Sequence, residues 1–288
     1  MNLTFLAVHA HPDDEASSTG GLFRLLANEG VRTVLVTCTN GECGDALDGA
    51  KPDADHHDGD AVAQLRRGEL DRAVEILGIN RLVRLGYRDS GMMGWPQNVD
   101  PESFWSTPVE EAATRLAAVL REERPQVVVT YNDYGFYGHP DHIQAHRVTV
   151  AALSMLDYEP TLYFNAVPLS VMGEMRKRWA EEERERAARD GTPTPTGEES
   201  GEESDDEGDD EVEIGTADDL IDAAINITSV NGAKFDALAA HHSQIAGSFW
   251  MKMGREKFVE TMTTEWFVRA TNPRGLSGVV NDLMAGYR

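Results

Sequence analysis

His-Pro-Asp occurs twice in this chain, in "HAHPDDE" at residues 9–15 and in "YGHPDHIQAH" at residues 137–146, each time followed by a residue able to bind a metal. In the first copy His11 and Asp14 stand three residues apart. Across a tight turn that spacing lets an imidazole and a carboxylate converge on one ion, while Asp13 points to another side of it. A catalytic zinc site takes three protein ligands and keeps an open position for water. A third donor is therefore needed, and His142, the fourth residue of the second copy, is the natural source. The bland alternative is a helix-capping turn, with Asp satisfying backbone N–H groups and His simply hydrogen-bonded. One such turn is ambiguous. Two of them, each closing an apolar strand-like run, favour the metal.

The elements that must position these residues follow from the hydrophobic pattern. "LTFLAVH" at 3–9, "VRTVLVTCT" at 31–39, "RLVRLGY" at 81–87 and "PQVVVTY" at 125–131 are apolar, β-branched runs of strand length. Between them, helical spacing is expected over 16–29, 61–77 and 108–124, and a further helix from Pro140 to about Leu156, with proline where a first helical turn accepts it. Strands alternating with helices imply an α/β chain: a Rossmann-like, open, mostly parallel sheet with helices on both faces. Ligands of such sheets bind beyond the carboxyl ends of the strands, where both His-Pro-Asp turns fall. This reading divides the chain into a Rossmann-like core over 1–170 and a C-terminal part over 171–288 that completes the pocket. The latter holds a charged helix at 176–190, a strand in "DAAINITSV", a helix at 231–242 and a last helix and strand near 255–270.

Composition narrows the partners. The formal net charge is −24 with only 41% hydrophobic residues, so nucleic acid and anionic membrane surfaces would be repelled. A small-molecule substrate is expected, and a homo-oligomer is left open. The N-terminal run has no basic start and is cut by histidines, unlike a signal peptide, and a cytoplasmic location is expected. Cys38 and Cys43 make no disulfide framework, and Cys38 reads as a buried small hydrophobe. Eleven carboxylates fall between Glu198 and Glu213 with no Lys or Arg among them. Residues 191–216 therefore read as a disordered acidic insertion.

Taken together, "HAHPDDE", Gly41-Glu42, "RRGEL" at 66–70, "RDSGM" at 88–92, "YGHPDH" and "AAHHSQI" at 239–245 resemble the LmbE/PIG-L family of zinc-dependent N-deacetylases. Within it the similarity is greatest to the mycothiol enzymes, which comprise N-acetylglucosaminyl-inositol deacetylases and mycothiol S-conjugate amidases. The resemblance implies zinc, with iron(II) as the alternative, on His11, Asp14 and His142. It implies Asp13 as general base, His139 as an imidazolium that stabilises an oxyanion and protonates the departing amine, and Tyr137 as a mobile assistant. Arg66 and Asp89 match residues that grip the sugar, and Gln244 with His241 falls where the pocket closes. Ser18 stands where the conjugate amidases carry lysine and the deacetylases serine, which favours acetate release from a GlcNAc-bearing small molecule such as GlcNAc-inositol. A metallo-phosphoesterase and a non-catalytic sugar-binding module are the competing classes. The first generally needs a second metal, and the second has no use for Asp13 and His139. His9 reads as a structural histidine with support of the ligands as the alternative, His146 is left open between the two, and His56 and His57 read as solvated loop residues.

Because the acidic insertion has no counterpart in this chemistry, a chain lacking residues 196–214 is expected to keep its turnover number, measured beside the full-length protein.

Overall fold

The computed structural model describes residues 3–190 and 214–288; the acidic run at 191–213 lies outside the described residues. The described residues divide into two compact units, those within 1–166 and 221–288 and those within 167–220.

The first unit is built on one seven-stranded sheet of order β3-β2-β1-β4-β5-β7-β6. Its strands are β1 (Thr4–His9), β2 (Arg32–Thr39), β3 (Arg81–Tyr87), β4 (Val127–Thr130), β5 (Thr161–Ala166), β6 (Ala223–Asn226) and β7 (Thr264–Arg269). β1 to β5 pair in parallel, whereas β7 is antiparallel to both β5 and β6. The mostly parallel α/β sheet expected from the strand–helix alternation is what the chain forms. The "DAAINITSV" strand is shorter than the sequence suggests, because a turn at Thr228–Val230 leads directly into the helix Asn231–Ala240.

Alternation along β1 separates two cores. Phe5 and Ala7 pack with Leu22, Phe23 and Leu26 of helix α1 (Asp14–Asn28) and with Leu70 and Leu77 of helix α2 (Gly59–Leu77). On the opposite face Leu6 and Val8 pack with Leu116 and Leu120 of helix α3 (Val109–Glu123) and with Val148 and Ala152 of the helix Pro140–Ser154. Every residue of β1 is buried. That double burial explains why the run is continuously apolar until His9, and it anchors the turn that follows.

Helix starts are set by local polar groups. The Asp58 carboxylate accepts from the Ala61 N–H, so α2 begins at Gly59, ahead of the first apolar position. Helix α1 begins at Asp14, earlier than its apolar spacing indicates, because the carbonyl of Asp13 already accepts from Ala16 and Ser17. The catalytic-looking turn and the helix start are therefore one structure.

In the second unit the helix Leu169–Asp190 starts well before the charged stretch that marked it in the sequence. Thr216 bonds Val167 and Leu169 through the backbone, and Asp218 accepts from Ser170.

Leu6 lies fully buried at the centre of the second core. Leu6→Ala is expected to lower stability by about 2–5 kcal/mol, read as a fall in the urea midpoint at unchanged slope.

Candidate metal centre and active site

β1 lies between β2 and β4, at the point where the strand order reverses direction. The crevice beyond that point is where open α/β sheets bind ligands. The turn after β1 brings His11, Asp13 and Asp14 to it, and the segment after β4 brings His139 and His142.

The Asp14 carboxylate stands between two imidazoles, Oδ2 3.4 Å from His11 Nδ1 and Oδ1 3.5 Å from His142 Nε2. The far nitrogen of each ring is engaged elsewhere. His11 Nε2 is 3.2 Å from Asp141 Oδ2, and that carboxylate also accepts from the Ser90 N–H and hydroxyl. His142 Nδ1 is 3.2 Å from the Gly135 carbonyl, which can only accept. With its proton so placed, His142 Nε2 is a lone pair, buried and without a hydrogen-bond partner. Tyr131 stacks on this ring at 4.1 Å between centroids. Metal-binding histidines are typically oriented in this way by a carboxylate or carbonyl on the far nitrogen. An orphaned imidazole nitrogen beside a carboxylate and a second oriented imidazole suits a divalent transition metal better than calcium or magnesium, which prefer all-oxygen ligands.

The electrostatics agree. Burial pushes His142 down to about 4, so its lone pair is free at neutral pH. Burial works against ionisation of Asp14, yet His142 and His11 together hold its carboxyl well below the usual carboxylate range. Burial also disfavours charge on His11, but Asp89, Asp14 and Asp141 override it and hold a proton there well above the ordinary histidine range. Such a preference for positive charge suits a metal ion at the same place. Among the described residues, the candidate ligand groups are His11 with His139 and His142, and His11 with Asp89 and Asp141. Both contain His11, so they describe one centre.

Asp13 is held in a conformation rare for a residue with a side chain, φ 114° and ψ −28°, at a cost of about 1–3 kcal/mol. Two side chains hold it there. Glu15 Oε2 accepts the Asp13 N–H at 3.0 Å. Arg66 donates to the Pro12 carbonyl at 2.6 Å, to Asp13 Oδ2 at 3.0 Å and to the Gly41 carbonyl at 2.9 Å. A Cβ on Gly41 would come within 2.4 Å of that guanidinium, which accounts for glycine in "NGE". Burial raises the Asp13 carboxyl to about 6, against the opposing pull of Arg66. A partly exposed carboxylate tuned toward neutrality can accept a proton from a nearby water. Arg66 itself is buried. It faces the Asp13 turn, where the resemblance implied a sugar contact.

His139 packs against both ligand histidines, its ring centroid 4.5 Å from that of His11 and 5.1 Å from that of His142. Burial, reinforced by the neighbouring His11 and His142, pulls it well below the ordinary histidine range, toward the neutral imidazole, where the resemblance implies an imidazolium. Its Nδ1 accepts from the Asp141 N–H at 3.1 Å, which leaves the proton on Nε2. Tyr137 is 40% exposed, with its ring 5.0 Å from His142 and 6.0 Å from His139. It lies on a segment with positive φ at Gly135, Phe136 and Gly138; at Phe136, which carries a side chain, that conformation is strained.

Asp89 is buried, with Oδ1 accepting from the Gly91 N–H and lying 3.7 Å from His11 Nε2. Its backbone N–H donates to Glu42. Ser18 Oγ lies 3.3 Å from the Asn165 amide. The Gln244 amide is spent on Asp45 and Ser243, so it ties the 41–45 loop in place. His9 bridges Thr19 and Tyr131, and His146 bonds the Tyr131 carbonyl. His57 bonds the Gly44 carbonyl, while His56 is exposed beside Asp48.

Ser90, Tyr131 and Glu15 escape sequence reasoning, each for its own reason. Serine after "RD" carries no signal. Tyr131 reads as the end of an apolar strand. Glu15 reads as an ordinary first-turn acid, although it is fully buried against His241.

A family model described as "GlcNAc-PI de-N-acetylase" (PIG-L) matches residues 6–153, and this chain belongs to that family. A 1D-myo-inositol 2-acetamido-2-deoxy-alpha-D-glucopyranoside deacetylase of Thermobifida fusca is 39% identical, over 97% of this chain and 98% of that protein. The protein of the same name from Acidothermus cellulolyticus is 40% identical, over 99% and 96%. In fold the chain resembles the N,N'-diacetylchitobiose deacetylase of Pyrococcus horikoshii, with TM-score 0.59 at 17% identity, covering 92% of this chain and 83% of that one.

Asp141 Oδ2 lies 3.2 Å from His11 Nε2 and orients that ring. Asp141→Asn is expected to weaken metal binding about 10–100-fold, measured by competition with a chromophoric chelator.

Proposed function

We propose that this chain is a metal-dependent amide hydrolase that removes the acetyl group of GlcNAc-inositol, leaving the free amino sugar and acetate. The observation that carries the reading is the pairing of an orphaned His142 Nε2 and an oriented His11 on the Asp14 carboxylate, immediately beside the strained, partly exposed Asp13. The full-length similarity to relatives named as deacetylases of that sugar supports the choice of substrate.

His11, Asp14 and His142 hold the metal, for which zinc is the proposed native ion and iron(II) the alternative. When bound, such an ion acts as a Lewis acid on the amide carbonyl and makes a water more acidic. Asp13 receives the proton of the attacking water as its oxygen bonds the acyl carbon. Arg66 and Glu15 keep that carboxylate aimed throughout. The Nε2–H of His139, with the Tyr137 hydroxyl, donates to the oxygen on which charge develops. The C–N bond then breaks, and the amine nitrogen takes up the proton that Asp13 received from the water, so that acetate leaves and Asp13 is an ionised carboxylate again. Asp89 and Ser18 contact the sugar. Arg66 and Gln244 shape the same side by holding the Asp13 turn and the 41–45 loop.

A conjugate amidase is disfavoured by Ser18 and by the names of the relatives. A two-metal phosphoesterase is disfavoured because both candidate ligand groups share His11. A cytoplasmic location is part of the proposal; no described helix is long and apolar enough to cross a membrane.

The test is incubation of metal-loaded protein with GlcNAc, GlcNAc-inositol and a mycothiol conjugate, scoring release of amine and acetate. GlcNAc-inositol is expected to be turned over with the highest kcat/KM; preference for the conjugate overturns the substrate assignment. Asp13→Asn should lower kcat about 10²–10⁴-fold with metal content unchanged, and full turnover in that variant removes Asp13 as the base.

A further inference from the structure

His241 lies far from the His-Pro-Asp turns in sequence, at the C-terminal end of the helix Asn231–Ala240, and is fully buried. Its Nε2 is 2.7 Å from Glu15 Oε1, and Glu15 too is fully buried. The other oxygen of that carboxylate, Oε2, holds the N–H of Asp13 at 3.0 Å. Three residues thus form one chain of hydrogen bonds, and it ends on the backbone of the proposed base. Asp13 needs such a hold, because at φ 114° the L-residue backbone is strained and relaxes unless its surroundings over-determine it. Arg66 grips the carbonyl of Pro12 and the side chain of Asp13, but among the described residues only Glu15 grips the Asp13 N–H.

We propose that His241 is a positioning residue for Asp13, acting through Glu15 to hold the left-handed backbone that aims the Asp13 carboxylate. The inference rests on Asp13 being the base.

Glu15 cannot do this alone. Apart from the Asp13 N–H, its side chain has His241 as its only hydrogen-bond partner among the described residues. A buried carboxylate that loses one of two partners either takes up a proton or turns away. The segment carrying His241 is itself docked. Ser243 bonds Glu69 on α2 through both its N–H and its hydroxyl, and Gln244 bonds Asp45. The C-terminal segment thereby reaches the catalytic turn without contributing a metal ligand.

The direction of the hydrogen bond selects the variants. Gln places an N–H donor near where Nε2 of His stands, whereas Asn reaches only as far as Nδ1. His241→Gln is therefore expected to keep turnover near that of the parent protein. His241→Asn and His241→Ala should lose about 10–100-fold in kcat, with KM, metal stoichiometry and melting temperature of the metal-free protein little changed. Glu15→Ala should lose a similar factor, and the double variant with His241→Ala no more than the worse single change, because the two act in series. In a crystal structure of His241→Asn, Asp13 is expected to leave its positive φ.

The inference is overturned if Asp13→Asn is inactive while His241→Ala and His241→Asn turn over like the parent. It is equally overturned if the losses appear in metal content or KM, if they add in the double variant, or if Asp13 keeps its conformation in the Asn variant. Should Asp13→Asn itself be active, the assignment of the base fails, a result distinct from any outcome at His241. If His241→Ala does not fold, the comparison of Gln with Asn decides.

Discussion

The structure depends on accommodating a cluster of carboxylates out of water at the end of β1. Asp14, Glu15, Asp89 and Asp141 are buried around the end of β1, and Asp13 is partly so. An unpaired buried charge costs several kcal/mol, more than any single packing contact returns. Each of these groups is accordingly matched. Asp14 faces His11 and His142, Glu15 faces His241, and Asp141 takes the Ser90 N–H and hydroxyl with His11. Asp89 is tied to the Gly91 N–H beside His11, and Asp13 to Arg66. The arrangement leaves a deficit of positive charge centred on His11, a setting suited to a metal ion.

That requirement shapes the fold around it. β1 must be rigid up to its last residue, since His11 and Asp14 stand in the turn directly after it. Burial on both faces of the sheet provides this, with one core under α1 and α2 and another under α3 and the Pro140–Ser154 helix. β4 pairs directly with β1, so the residues that follow it reach the same crevice. Tyr131, the first residue past β4, links the two strands. Its hydroxyl bonds His9 and the Ala10 N–H, and its ring lies against His142.

Strain is concentrated where the chemistry is proposed. Asp13 and Phe136 are two of the three described residues with side chains at positive φ. One carries the proposed base, and the other precedes Tyr137. The two sites differ in how they are held. Asp13 is clamped by Arg66 and Glu15, whereas Tyr137 sits at the exposed rim. A fixed base and an accessible tyrosine suit a pocket that must admit a sugar while keeping its proton acceptor in place.

The two His-Pro-Asp turns, the apolar runs before them and the helix starts after them are all local features, written in residue type and spacing. They were enough for the α/β class, the mostly parallel sheet and the nomination of His11, Asp13, Asp14, His139 and His142. The antiparallel placement of β7 between β5 and β6 was not legible, because strand order arises from packing between segments distant in the chain. The same holds for charge and partner. No spacing rule reveals that burial drives His139 toward its neutral form, that Arg66 turns toward Asp13, or that Glu15 and His241 share a hydrogen bond across 226 positions. Sequence decides which groups can titrate or ligate. Burial and proximity decide which of them do, since both depend on what the folded chain brings alongside.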